Sequence, residues 1–192
     1  MNAEAPDWDM PAVTLEQLTH WNDLDQWGRR FELSPAGTLF VTPLPDGAHA
    51  GVVSRLLWWF LKAGWPPGQV LHAVGVRAPG PGIGGGWIPD LTVWANPVHG
   101  CWLPAEDLVV AIEIVTPASH AVDRHVKVHE YAAAGIPRYW LVDESVTMYQ
   151  LAGHRRYEVS EAVTLDCLLE TPAGSYLPGI SAGSGRSAPS GW

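Results

Sequence analysis

The chain has 192 residues, 47% of them apolar and 16% charged, with 11 Lys and Arg against 20 Asp and Glu for a net charge of −9. That length suits one domain with a sizeable core, and the composition excludes a disordered chain. The acidic balance opposes indiscriminate nucleic-acid binding, which needs a basic footprint, so any such function must rest on a local cluster of cations.

The first residues, "MNAEAPDWDMP", are acidic and lack the apolar stretch of a secretory signal. "VVSRLLWWFL" is interrupted by Arg55 and is far too short to span a bilayer, so no membrane association is expected. Cys101 and Cys167 are the only cysteines and form no CxxC, which points to free thiols and a cytoplasmic setting.

In chain order, "TLEQLTHWNDLDQW" opens on a Thr cap at position 14 and predicts a helix. "RRFELSPAGTLFVTP" predicts two short strands around a Ser-Pro-Ala-Gly turn. "DGAHAGVVSRLLWWFLKAG" predicts a second helix, stopped by Gly64 and "WPPG". "QVLHAVGVRAP" and "IPDLTVWA" read as strands, and the intervening "GPGIGGG" reads as a flexible loop beside a site rather than a phosphate cradle. "DLVVAIEIV" is the most apolar strand, and residues 119–134 are helical in character, ending at Gly135 with Pro137 beyond. "RYWLVD" is a further strand, and "VTMYQLAG", "RRYEVSE" and "AVTLDCLL" read as a trailing β-meander. The expectation is a single α/β domain over residues 1–180, a mixed sheet flanked by helices, with a disordered low-complexity tail at 181–192.

Glu113 sits in the centre of an apolar strand, where an unpaired charge is costly enough to demand a partner. Asp90 begins the strand "DLTVWA". If the two strands are antiparallel neighbours, the carboxylates lie ~5 Å apart at Cβ, and both stay ionised only with a cation between them. A hard divalent ion such as Mg²⁺ suits that geometry. The bland alternative is a surface Asp90 and a Glu113 paired with an arginine. In "SHAVDRHVKVHEYAAAG", Asp123, Lys127 and Tyr131 recur at i, i+4 and i+8 and share one face, flanked by His120 and Arg124, with Val122, Val126 and Ala133 as an adjacent buried stripe. Taken alone that is an ordinary helix ion pair; beside two carboxylates it supplies the cation that phosphoester hydrolysis needs. His125 and His129 are also four apart, but HExxH is absent and Cys101 has no supported place as a third ligand, so a zinc hydrolase is the weaker alternative.

"WIPDLTVW", "VVAIEIVTPAS", "DRHVKVHEYAAAGIPRYWLVD" and the upstream "RRFELSPAGTLFVTPLPDGAH" together resemble the Uma-type restriction endonuclease family, over about residues 14–180. That family is similar in fold to the PD-(D/E)XK nuclease superfamily, so the resemblance implies a restriction-endonuclease-like α/β fold and hydrolysis of nucleic acid, with DNA the substrate, using Mg²⁺ or Mn²⁺. It implies that Asp90 and Glu113 are metal ligands, joined by the backbone carbonyl of Ile114. Glu32 matches an early acidic position that would hold a water or second metal, and His49 a histidine that would contact phosphate. The lysine of the superfamily motif should fall at position 115, which is Val115 here; the resemblance puts Lys127 on the next helix in that role. Arg29, Arg30, His49, Arg77, Arg124 and Lys127 lie in segments near the site and could form a basic strip. A symmetric homodimer would align two such strips, with "VTMYQL" or the tryptophan-rich surface as its interface. The competing class is a nuclease-fold module without catalysis, favoured by Val115 and the acidic charge.

Overall fold

The computed structural model describes residues 12–80 and 84–177. The tail at 181–192 and the acidic first residues lie outside that range. Helix α1, Leu15–Leu24, starts on Thr14, whose side chain accepts from Gln17 N while the Gln17 side chain accepts from Thr14 N, a reciprocal cap. Strands β1, Arg30–Leu33, and β2, Leu39–Thr42, follow as an antiparallel hairpin. Helix α2, Gly47–Lys62, is capped by Asp46, and Gly64 beyond it takes a positive φ of 93°.

"QVLHAVGVRAP" is two strands, β3, Val70–His72, and β4, Gly75–Ala78, which belong to different sheets. The glycine run is not all loop: Gly85 and Gly86 are buried in β5, Gly85–Trp87. A Cβ on Gly85 would lie 2.3 Å from the Leu33 carbonyl oxygen, so only glycine lets β5 lie against β1 here.

Strand β6, Leu91–Trp94, is followed by β7, Trp102–Leu103, an unexpected short strand within the connection to β8, Leu108–Ile114. Residues 122–127 then wind as a π-helix that runs into helix α3, Val128–Ala133. Strands β9, Arg138–Val142, β10, Val146–Ala152, and β11, Arg156–Val163, form the antiparallel meander. The last expected strand, "AVTLDCLL", is instead the end of β11 and helix α4, Leu165–Glu170, because Thr164 caps a helix by accepting from Cys167 N.

The strands make two mixed sheets rather than one: β2-β1-β5-β4-β7 and β11-β10-β9-β8-β6-β3. The fold is α/β, with the sheets flanked by helices. In the larger sheet β6 and β8 are antiparallel and β8 and β9 parallel, the crossover between them being the π segment and α3. One face of this sheet meets α2 and α4 through Leu56, Phe60, Ile112, Trp140 and Leu168. The other meets α3 and the smaller sheet through Ala111, Tyr131, Tyr139 and Trp87. Alternation along β8 sends Ile112 and Ile114 toward α2 and Glu113 toward α3. "VTMYQL" lies within β10, paired on both sides, so it offers no free edge to a second copy. No helix among the described residues is long and apolar enough to cross a membrane.

Candidate active site

Leu91 pairs with Ile112, and one step further along this antiparallel ladder Asp90 stands opposite Glu113. Both are buried, and Asp90 N donates a long bond of 3.4 Å to Glu113 Oε2. The Asp90 carboxylate is also anchored to the partner strand, its Oδ2 accepting from Ile114 N at 2.8 Å.

Glu32 enters from β1 and accepts from Ile88 N at 2.7 Å, which fixes the chain just before Asp90. Lys127 enters from the π segment: its Nζ is 2.8 Å from Glu113 Oε1, 3.3 Å from Glu32 Oε1 and 3.5 Å from Asp123 Oδ1. It also lies 5.2 Å from the centroid of the Trp87 ring. Tyr131 OH donates to the same Glu113 oxygen at 2.7 Å. The shared face of Asp123, Lys127 and Tyr131 is thus real but inverted in burial: these three are buried, while Val122 and Val126 are half-buried and Ala133 is exposed. The wide π turn, a winding frequent at functional sites, starts from a turn in which Thr116 and Ser119 exchange backbone-to-hydroxyl bonds.

Asp90 has two further partners. Arg30 Nη1 donates to Oδ1 at 2.7 Å, and His49 Nε2 stands 2.9 Å from Oδ2. The arginine of the bland alternative therefore exists, on Asp90 rather than Glu113. His49 reaches Asp90 from the first turn of α2, so in this structure it positions a carboxylate. Of the expected basic strip only Arg30, His49 and Lys127 meet here. Arg29 pairs with Asp25, Arg124 with Asp143, and Arg77 donates to the Trp102 carbonyl. Val115 lines no part of the pocket, and Lys127 approaches Glu113 from the helix instead. His125 and His129 are exposed, which removes the zinc alternative's support. No three His, Cys, Asp or Glu side chains among the described residues are grouped so as to hold a metal ion, so any ion here would take most of its ligands from water or substrate.

These residues open on a cavity of about 220 Å³, walled by Thr42–Asp46 on one side and Thr116–Ser119 on the other, with Arg30, His49, Asp90, Glu113, Ile114, Asp123 and Lys127 at its base. Burial pushes the Glu113 carboxyl up to about 8; Lys127 opposes this, and Asp123, Asp90 and Glu32 add to it. Burial acts to lower Lys127, but Glu113, Glu32 and Asp123 outweigh it and hold the ammonium protonated. Burial would raise Asp90, yet the His49 bond and the Arg30 charge hold its carboxyl well below the usual range. Both partners of the Lys127–Glu113 pair are thus raised. Glu113 Oε1 accepts from two donors, and its upward shift reflects burial first and the neighbouring carboxylates Asp123, Asp90 and Glu32 second.

Four buried carboxylates (Glu32, Asp90, Glu113 and Asp123) face two permanent cations, Arg30 and Lys127. Asp123 Oδ1 is buried without a hydrogen bond, its ion-pair contact being Lys127 Nζ at 3.5 Å. Surplus acid, an unsatisfied oxygen and an adjoining cavity fit a hard divalent cation, and Mg²⁺ favours one or two carboxylates completed by water over a closed protein cage. Arg30 is the competing cation on Asp90. Sequence reasoning had Arg30 near the site without its partner, because Arg30 and Asp90 are joined only by the packing of two sheets.

A comparison with curated proteins finds no match. Among solved structures, the chain is similar to one described as a "putative nuclease belonging to DUF820" from Anabaena variabilis ATCC 29413, with a TM-score of 0.60 and 16% identity over 82% of this chain and 98% of that one. At that identity the likeness establishes a shared fold. The sequence profile of the Uma2 family, described as "Putative restriction endonuclease", matches residues 15–181. The chain therefore belongs to the Uma2 restriction endonuclease family.

Proposed function

We propose that this protein is a metal-dependent endonuclease that hydrolyses phosphodiester bonds of nucleic acid, with DNA as substrate and Mg²⁺ or Mn²⁺ as cofactor. The observation that carries the reading is the surplus of buried carboxylate at the base of an open cavity, centred on Asp90 and Glu113. Those two side chains and the Ile114 carbonyl would hold the ion, which when bound supplies Lewis acidity at the phosphate and an acidified water. Arg30 and His49 fix the orientation of Asp90, and Tyr131 and Lys127 that of Glu113. Lys127, held protonated by three carboxylates, acts as a fixed positive charge for the developing phosphorane rather than as a base. Free, exposed Cys101 and Cys167 support a cytoplasmic setting.

One observation favours the second reading, a nuclease-fold module without catalysis: Arg30 already sits on Asp90 where an ion would compete. Incubation of plasmid and single-stranded DNA with the protein and Mg²⁺ or Mn²⁺ separates the two. Cleavage is expected from the parent, none from Asp90→Ala or Glu113→Ala, and a rate lower by about 10²–10³ from Lys127→Ala. Calorimetric titration that finds metal binding lost in the two carboxylate variants, but no cleavage of either DNA, would establish the module instead.

A further inference from the structure

Of the seven large apolar side chains that the described residues leave exposed, five come from one short stretch: Leu24, Trp27, Leu39, Val41 and Leu44. They form one patch. Leu24, Trp27 and Leu39 border a shallow groove with Phe31, and Val41, paired with Phe31 across the ladder, shares the face of Leu39. Leu44 packs on Gly28, next to Trp27, so closely that a Cβ there would lie 2.6 Å from Leu44 Cδ1. A contiguous apolar patch of this kind on a folded chain marks an interaction surface.

The patch runs along a bare sheet edge. β2 is the outermost strand of the smaller sheet, with no strand of the described residues beyond it. Ser34 N donates to Thr38 O at 2.9 Å, which closes the hairpin on a hydrogen-bonded pair. Antiparallel pairs alternate, so Leu39 and Val41 fall at the non-bonded positions and turn their N–H and C=O groups outward. Sheet edges are commonly guarded by charge. β11, an edge of the larger sheet, carries Arg156, Glu158 and Glu161. From Phe31 to Pro45 the only charged residue is Glu32, and it is buried in the site.

We propose that this edge pairs with β2 of a second copy of the chain, antiparallel about a two-fold axis beside Phe40. In that register Leu39 of each copy meets Val41 of the other, so every outward N–H finds a C=O. Pro43, which has no N–H to give, stands where the pairing ends. Charge selects a copy over a foreign partner. A chain of net charge −9 repels its own image across an acidic face, but the groove's two charged residues, Asp25 and Arg29, pair with each other at 2.6 Å. A partner chosen by charge finds nothing to read there. At roughly 150–250 Å² for a large side chain, exposures between 40% and 74% leave on the order of 500 Å² of apolar surface per copy. The paired edge adds to that, toward the ~800 Å² that each partner of a stable complex buries. Arg30, Glu32 and Thr42 alternate onto the opposite face of the hairpin, so the pairing does not cover them.

Light scattering behind size exclusion, on the full chain at micromolar concentration, tests this without any cleavage. The parent is expected at twice the mass of one chain and Val41→Lys at the mass of one, because a charge now guards the edge. Trp27→Ala should raise the Kd of the dimer at least tenfold. Trp58→Ala, which removes the exposed indole of α2 outside the patch, should leave the dimer intact. Hydrogen exchange reads the pairing itself: the Leu39 N–H should be protected in the parent and exchange freely in Val41→Lys. Circular dichroism checks the fold of each variant, and Trp27→Ala carries the comparison if Val41→Lys does not fold. A monomeric parent overturns the proposal. So does a dimer that neither Val41→Lys nor Trp27→Ala weakens, or one in which the Leu39 N–H exchanges freely.

Discussion

Glu113 is a carboxylate at 1% exposure in the middle of an apolar strand, and its partners do not neutralise its surroundings. Lys127 and Tyr131 satisfy one oxygen, while Asp90, Asp123 and Glu32 add to the burial that pushes its carboxyl up to about 8. Between the ordinary value of 4.5 and about 8 the folded chain binds a proton that the unfolded chain has released, so stability falls as pH rises through that window. Asp90 acts oppositely: its depressed carboxyl gives stability that is present above the ordinary carboxylate range and lost as pH falls below it. The metal-free protein should therefore melt highest at mildly acid pH. Glu113→Gln is expected to flatten the fall toward pH ~8 and to melt above the parent there, while cleaving no DNA. Thermal melts in EDTA across that range check it; a variant as steep as the parent would assign the slope to another group, Asp123 being the next buried acid whose carboxyl is raised.

At the scale of elements, two glycines behave in opposite ways. Gly51 lies in an exposed turn of α2 with open space around its Cα, so Gly51→Ala should stabilise the protein by about 0.5–1 kcal/mol. Gly85 is pressed against the Leu33 carbonyl and the Pro35 nitrogen, so Gly85→Ala must push β5 off β1 and should cost about 1–3 kcal/mol or more. Urea denaturation of both variants measures the contrast. The same contrast explains what was legible in the sequence. Elements fixed by their neighbours in the chain were readable: the Thr14 cap, the stop of α2 at Gly64, the β1–β2 hairpin, and the helix face that joins Asp123, Lys127 and Tyr131. Glu113 stood out because it breaks an apolar run, and Asp90 because it begins the strand expected to pair with it. What depended on distant segments was not readable: the role of Gly85 is set by a strand some fifty residues earlier, and the Arg30–Asp90 pair spans 60 positions. The split between β3 and β4, one strand by composition, is likewise a consequence of two sheets sharing one chain.

The site draws Glu32 and Arg30 from the smaller sheet, His49 from α2, Asp90 and Glu113 from the larger sheet, and Asp123 and Lys127 from the π segment. Surplus negative charge at such a junction works against the packing that creates it, and a divalent cation bound there would relieve the repulsion. Binding to the folded state alone stabilises by mass action, about 2.7 kcal/mol at a hundredfold excess over Kd. Mg²⁺ or Mn²⁺ should therefore raise the melting temperature of the parent, more at pH ~8 than at pH ~5, because the ion displaces the proton that Glu113 otherwise keeps. Asp90→Ala should lose the response. Arg30→Gln, which removes the competing guanidinium 2.7 Å from Asp90, should respond at lower metal concentration than the parent. A melting temperature indifferent to both ions in the parent, with Arg30→Gln gaining the response, would mean that Arg30 takes the place of the metal in this member of the family. The protein would then be the inert module, held together at its former catalytic centre by an internal cation.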